Sequence, residues 1–387
     1  MSTITVTNRL SLAAFIVALS HLMLEFSNNF LPVAYPMLRA QLGLSYQQVG
    51  TIALVGTLAG SLTQPLFGYL SDRWDPRWII ALSIGWIGLF MGLVGFQPSY
   101  GLVLLFVGLG GLGSAAYHPA GASLAAEVSQ NLKGTAVSVF SVGGNLGSAI
   151  SPLVVGAALL AVGLRGTAVL IPVGLTFALV FFLYFRNHEL ERNDPTTKAN
   201  RKVVRGPWLA LILVITAVAA RSWVQGALVN FLPEWLQNNG ATPEFAAGMV
   251  SLLAVSISVG SLSGGTISDR LGRAPIVMFS LALMVPLQGI FLATNGPLQI
   301  IALMGIGVMI GASFPVAILM AQEAWPQAMG LAASLVIGLG WMPAGLGAWT
   351  IGFIADQSTL TFALTTLVIV PLLGSLSAFF FLRHYEQ

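Results

Sequence analysis

No cysteine occurs among the 387 residues, so a disulfide framework, a thiol nucleophile and a thiolate metal site are all excluded. Charge is nearly as scarce, with Asp, Glu, Lys and Arg making up 7% of the chain. So few charged groups cannot clothe a soluble body when 56% of the residues are hydrophobic and the mean hydropathy is +0.86, and the chain is expected in a bilayer. The alternating ten-residue segments of a β-barrel are missing. So are nucleophile-elbow, Walker, dinucleotide and His-Glu-x-x-His patterns, which leaves no motif for an enzyme. Met1 to Arg9 and the apolar residues after them imitate a signal peptide. The run continues through His21 and Glu25 to Leu38 without a small-residue cleavage site, and it reads as a retained first span.

What is present divides into twelve apolar runs, each near the ~20 residues that cross a hydrocarbon core. The expected spans are 10–38, 47–70, 78–97, 100–125, 134–162, 167–185, 208–236, 244–267, 275–294, 298–322, 328–354 and 360–382. With the N-terminus inside, 13 of the 16 Lys and Arg residues fall on the cytoplasmic side, against Arg39 and Arg165 outside and Arg221 within a span. This positive-inside bias predicts both termini in the cytoplasm of a multi-pass protein of the cell (inner) membrane. It also accounts for the net charge of +3 without a nucleic-acid partner. The polar stretch 187–206 reads as a cytoplasmic linker between an N-terminal half, 1–186, and a C-terminal half, 207–387.

The halves repeat one another. Gly68-Tyr69-Leu70-Ser71-Asp72-Arg73 returns 197 positions later as Gly265-Thr266-Ile267-Ser268-Asp269-Arg270. Asn29-Phe30-Leu31-Pro32 returns 201 positions later as Asn230-Phe231-Leu232-Pro233, while Pro119, Glu127, Gly134 and Gly156 match Pro315, Glu323, Gly330 and Gly352 at an offset of 196. The fold class expected is therefore an all-α polytopic membrane protein of twelve helices in two pseudo-symmetric six-helix halves, with its site between them near mid-membrane.

Three ionisable residues fall at that depth. Glu25, within span one, would cost several kcal/mol if charged and facing lipid, so it is expected to face a cavity or a partner and is the candidate proton carrier. His21 lies one turn earlier on the same helix face and suits proton exchange; the plainer alternative is an i,i+4 hydrogen bond that fixes the helix. Arg221 corresponds to Ser20 under the offset of 201, which places it at the depth of the His21/Glu25 pair in the opposite half. It is expected either to bind an anionic substrate group or to neutralise Glu25. His118 and Asn145 are candidate polar lining, joined by Gln225, Tyr117 and Trp341, with Trp223 and Phe314 as further walls; for each aromatic, packing is the plainer alternative.

The loop repeat carries a family resemblance. It resembles the Gly-x-Leu-x-Asp-Arg-x-Gly-Arg signature of the major facilitator superfamily, more completely at Gly265 to Arg273 than in the first copy, where Asp75 and Pro76 replace the usual pair and Arg77 supplies the later cation. Within that superfamily the chain looks like the fosmidomycin-resistance-type exporters, on His21-x-x-x-Glu25, Leu31-Pro32, Gly43-Leu44-Ser45-Tyr46, Tyr117-His118-Pro119 and Val142-Gly143-Gly144-Asn145-Leu146-Gly147 with Pro152. The resemblance implies alternating access by rocking halves, usually coupled to protons. It also implies a cytoplasmic gate at Gly68, Asp72, Arg73, Arg77, Glu127, Gly265, Asp269, Arg270, Arg273 and Glu323, whose ion pairs would hold the inside closed; positive-inside anchoring explains the arginines but not the aspartates.

The resulting expectation is a secondary transporter and not an enzyme: a proton-coupled exporter of a small polar or anionic compound or drug, using the proton gradient and no cofactor, and working as a monomer among membrane lipids. Proton-coupled uptake on the same scaffold is one alternative. The other is a metal carrier or intramembrane metalloenzyme using His21, Glu25 and His118, a suitable ligand set without the usual spacing.

Overall fold

The computed structural model describes residues 11–71, 73–128, 133–187 and 207–385, and among them it is helical with no strand. Eleven apolar helical stretches are long enough to cross a membrane. One of them, Thr135–Phe185, runs for 51 residues, far more than a single crossing needs. It is two passes, α7 (Lys133–Val162) and α8 (Leu170–Phe185), separated by a 3₁₀ segment, Gly163–Val169, whose first residue has φ +66°. Twelve passes result, as the apolar runs predict.

Several passes are broken, and proline marks two of the breaks. The first consists of α1 (Leu12–Asn28) and α2 (Leu31–Leu42), which begins with Pro32 in its first turn. The second consists of α3 (Tyr46–Leu62) and α4 (Gln64–Ser71), interrupted just before Pro65. A proline has no N–H to donate and disfavours helix in the residue before it, so a restart there costs least. Conversely, α6 (Tyr100–Glu127), α7, α12 (Pro297–Ala324) and α13 (Met329–Gln357) run unbroken through Pro119, Pro152, Pro315 and Pro343. The other passes are α5 (Pro76–Leu93), α9 (Trp208–Asn238), α10 (Pro243–Leu271), α11 (Arg273–Ala293) and the pair α14 (Leu360–Thr366) and α15 (Val370–Tyr385).

Two long interfaces join the halves, α3 along α13 and α7 along α10, and α2 adds a shorter contact with α9. The first is tightly packed at the end that carries Arg39. A Cβ at Gly50 of α3 would lie 2.5 Å from the Ala348 carbonyl oxygen, and one at Gly352 of α13 would lie 2.3 Å from that of Tyr46. Only glycine permits such backbone approach. At the same end Asp356 accepts from the backbone N–H groups of Tyr46 (2.8 Å) and Gln47 (2.9 Å), capping the first turn of α3 from the other half. Asn238 donates to the Tyr46 hydroxyl, and Arg39 pairs with Glu234 at 3.0 Å while its guanidinium covers the Tyr46 ring. Among the described residues, every hydrogen bond between the halves lies at this end.

The repeated charged loops occupy the opposite end, and there the described pairs stay within one half. Asp75 caps α5 and binds the Arg77 side chain, which also donates to the Phe185 carbonyl oxygen. The Asp75-Pro76 departure from the repeat is thus a helix start, with a cap and a proline in the first turn. In the second copy Gly272 stands in the place of Asp75, at φ +91°, and Arg273 joins Asp269 (2.5 Å) to Glu323 (3.2 Å). Arg73 covers the Tyr69 ring, and Glu127 accepts from Ser123. Asp72 and most of the linker 187–206 lie outside the described residues. The expected gate therefore appears here with its described pairs inside each half and none bridging the two.

Candidate functional site

In the N-terminal half, Glu25 and His21 share a face of α1, and α6 brings His118 against them. The Nε2 atoms of His21 and His118 lie 3.6 and 3.5 Å from the same carboxylate oxygen, Oε1 of Glu25. The other oxygen accepts from the Asn29 amide at 2.7 Å. His21 is fixed from behind: its Nδ1 lies 2.9 Å from the Phe140 carbonyl oxygen, its ring stacks on Phe140 at 4.1 Å, and Gly144 leaves room for it where a Cβ would come within 2.4 Å. Since a carbonyl oxygen only accepts, Nδ1 carries a hydrogen and Nε2 of the neutral ring turns its lone pair to Glu25. With neither group protonated, carboxylate and imidazole would meet acceptor to acceptor, an arrangement that a proton between them stabilises.

The local sequence explains the placement. Gly143, Gly144 and Gly147 bring α7 against the backbone of α1, where Cβ atoms would come within 2.1 Å of the Ala18 oxygen at Gly143 and 2.3 Å of the Leu22 oxygen at Gly147. Side chains at 143 and 147 would push the helices apart and carry the Phe140 carbonyl away from His21. That run is a packing device, as its composition suggests.

In the C-terminal half, Arg221 is 2% exposed. Its Nε donates to the Ile310 carbonyl oxygen at 3.1 Å, Nη1 makes a long contact of 3.5 Å to Ser222, and the Phe314 and Trp341 rings lie 4.8 and 5.2 Å from the guanidinium carbon. Of the two roles left open for Arg221, the pairing with Glu25 is not formed, and no carboxylate among the described residues reaches salt-bridge distance of this cation. The repeat explains why. Ser20, the counterpart of Arg221, is fully buried and turns to the Tyr117 hydroxyl in its own half; Arg221 likewise turns towards α12 instead of across the molecule.

The two halves place their chemistry at equivalent positions. Under the offsets of 201 and 196, Ser20, His21 and Glu25 become Arg221, Ser222 and Gly226, while Tyr117, His118 and Asn145 become Ser313, Phe314 and Trp341. The acid and imidazoles of one half are thus answered by a cation and aromatic rings in the other.

Other expected residues fall less simply. Tyr117 is fully buried and does not line a cavity; its hydroxyl lies 2.6 Å from Ser20. Asn145 is part-exposed and makes no hydrogen bond to His118 among the described residues. Gln225 is part-exposed with its Oε1 enclosed and unpartnered. Trp223 packs at the α9–α13 contact beside Gly347. Asn29, Phe140 and the Arg39–Glu234 pair escaped the sequence reading. Glu234 lies inside the expected span 208–236, so the rule that singled out Glu25 applied to it as well.

The sequence model of the Major Facilitator Superfamily matches residues 17–348. Over 376 residues the chain is 28% identical to the fosmidomycin resistance protein of Escherichia coli strain K12, covering 94% of this chain and 91% of that one. It is 26% identical over 259 residues to the multidrug resistance protein MdtG of Rahnella sp. strain Y9602, covering 65% and 63%. Among solved structures, a bacterial homolog of the human lysosomal transporter Spinster, inward-facing and occupied, shares the fold with a TM-score of 0.82 at 16% identity, covering 96% of this chain and 97% of that one.

Proposed function

We propose that this chain, which belongs to the Major Facilitator Superfamily and is thus a multi-pass membrane transporter and not an enzyme, is a proton-coupled exporter of a small polar or anionic organic compound. The observation that carries the coupling is the approach of two imidazole Nε2 atoms to one Glu25 oxygen. A proton taken up there settles between acid and base, and its loss leaves a carboxylate inside the membrane, so the two protonation states favour different surroundings. Arg221, His118, Asn145, Gln225 and Trp341 form the substrate-facing set, with Tyr117 supporting it from behind.

Transport proceeds by rocking of the halves 1–186 and 207–387 about the linker 187–206. The end bearing Arg73 and Arg273 faces the cytoplasm, on the positive-inside bias, and both termini share that side. We infer an inward-open state from the described pairs between the halves, all of which lie at the Arg39 end. Asp269, Arg270, Arg273, Glu127 and Glu323 then exchange partners across the gate when that end closes. The resistance named for two relatives supports export and leaves the substrate of this chain its own. One chain carries both halves of the pathway, so a monomer is expected to suffice.

The test is pH-driven flux in proteoliposomes. Glu25→Gln is expected to keep fold and substrate binding while abolishing transport driven by a proton gradient; unchanged coupling in that variant sinks the reading. Counterflow under a gradient of defined polarity separates export from uptake. One observation favours a second reading: ligand atoms of His21, Glu25 and His118 lie within 4.8 Å of one another, close enough to converge on a metal ion. Stoichiometric metal in the purified protein, lost in Glu25→Gln, would establish it in place of the proton site.

A further inference from the structure

Arg221 has neither of the partners that usually explain a buried arginine. An ion pair is absent: Glu25 is occupied by His21, His118 and Asn29, and no other carboxylate among the described residues reaches the guanidinium. A full set of neutral acceptors is absent too. Nε is committed to the Ile310 carbonyl oxygen, Nη1 has only its long contact with Ser222, and Nη2 has no hydrogen-bond partner among the described residues.

What is left free is the end-on edge of the guanidinium, the parallel pair of donors that matches two oxygens of a carboxylate or phosphoryl group. The ring faces of Phe314 and Trp341 stabilise the cation but accept none of its hydrogens. Both rings are part-exposed, so they also offer an apolar wall beside that edge. A charge kept this deep without a counter-ion is costly, and a ligand that brings the counter-ion removes the cost. Because the equivalent positions of the other half hold the Glu25 cluster, cation and proton site occupy matching places on the two sides of the pathway.

The geometry points to the substrate's chemical class: a small organic oxyanion, carboxylate or phosphate-type, bound end-on by Arg221 with its apolar body against Phe314 and Trp341. This rests on the transport reading above and narrows it. A lysine at 221 would keep the charge and lose the fork, and a neutral substrate of the same shape would leave the cation unpaired.

The experiment is a thermal-shift titration of purified full-length protein at fixed pH and ionic strength. Benzoate and phenyl phosphate serve as anionic probes, benzamide as the neutral match for benzoate, and phosphatidylglycerol against phosphatidylcholine as the lipid control. At least one of the two anions is expected to raise Tm by a few degrees more than benzamide. Arg221→Gln is expected to abolish that difference, and Arg221→Lys to weaken the apparent affinity about tenfold. Equal responses to anion and neutral probe in the wild type, or a difference that survives in Arg221→Gln, would overturn the assignment. A response to phosphatidylglycerol alone would overturn it as well, since the counter-ion would then be a lipid headgroup. Should Arg221→Gln not fold, Arg221→Lys decides, an undiminished anion response in it removing the fork from the site. Failure here is separable from failure of the transport reading, because proton-driven flux that depends on Glu25 can persist for a neutral compound.

Discussion

The two ends of the molecule hold comparable polar groups and use them differently. At the Arg39 end they reach from one half to the other: arginine to glutamate, aspartate to the first turn of α3, asparagine to tyrosine. At the Arg273 end the described pairs close on themselves, Asp75 with Arg77 and Asp269 and Glu323 with Arg273. A charged side chain at a helix end needs a partner, and it takes whichever half supplies one in a given state. The difference teaches that conformation in this fold is recorded in which half the partner belongs to, since the groups themselves occur at both ends.

The comparison breaks most completely at glycine. Gly50→Leu places a side chain where even a Cβ meets the Ala348 oxygen at 2.5 Å, so the closed Arg39 end cannot form. Spin-label pairs across that end, introduced as cysteines into a chain that has none, are expected to report separation in nearly all molecules, and an unchanged short distance would refute the account of closure.

Removing Glu234 comes next. Its side chain is 8% exposed, and deleting one member of a part-buried pair leaves Arg39 uncompensated. Glu234→Ala is expected to weaken this closed end by about 2–3 kcal/mol, discounted from the fully buried case because Arg39 is 33% exposed, and the same label pair should show a mixed population. A smaller step is Asp356→Asn, which removes the charge from the cap on α3 and is expected to cost about 1 kcal/mol in the same measurement.

The smallest effect sharpens the contrast. Glu323→Ala removes one of two partners of Arg273 at a wet surface, worth ~0–1 kcal/mol here, and should leave the Arg39-end distances unchanged. If closure of the Arg273 end uses Glu323 across the halves, accessibility labelling under proton-driven turnover should nonetheless change more than thermal stability does.

The sequence exposed the fold because its signals are local or periodic. Apolar run length gave the passes, and constant offsets gave the duplication. Prolines two residues into a new helix, at Pro32 and Pro65, were available as break signals, although each run reads as continuous by hydropathy. The Glu25 cluster was half legible: His21 and Glu25 lie one turn apart on one helix face, whereas His118 was singled out only as a candidate polar lining residue. Phe140 could not be found, because a backbone carbonyl acceptor leaves no mark on residue type. Asn29 was visible only as part of the repeat. Arg221 was read either as a ligand for an anionic substrate or as the partner of Glu25, and the sequence could not choose, since an offset relates equivalent positions and says nothing of which way a side chain turns. Arg39 with Glu234 and Tyr46 with Asp356 are 195 and 310 residues apart and belong to different halves, so no local pattern joins them.

Each half carries its chemistry complete. Every described partner of Glu25 and His21 lies in the first half, and every described partner of Arg221 in the second. Rocking therefore need not break a single bond inside either cluster. Under the proposed coupling, the Glu25 cluster travels like cargo with its own scaffold, and what alternates is the bath it meets. Its occupancy then follows the water on the open side and the charge of whatever lies beside Arg221. Mutations that retune the proposed coupling without touching an ionisable group should consequently map to the scaffold's inner seams, and Gly144, which leaves space for the His21 ring, is the seam nearest the Glu25 cluster.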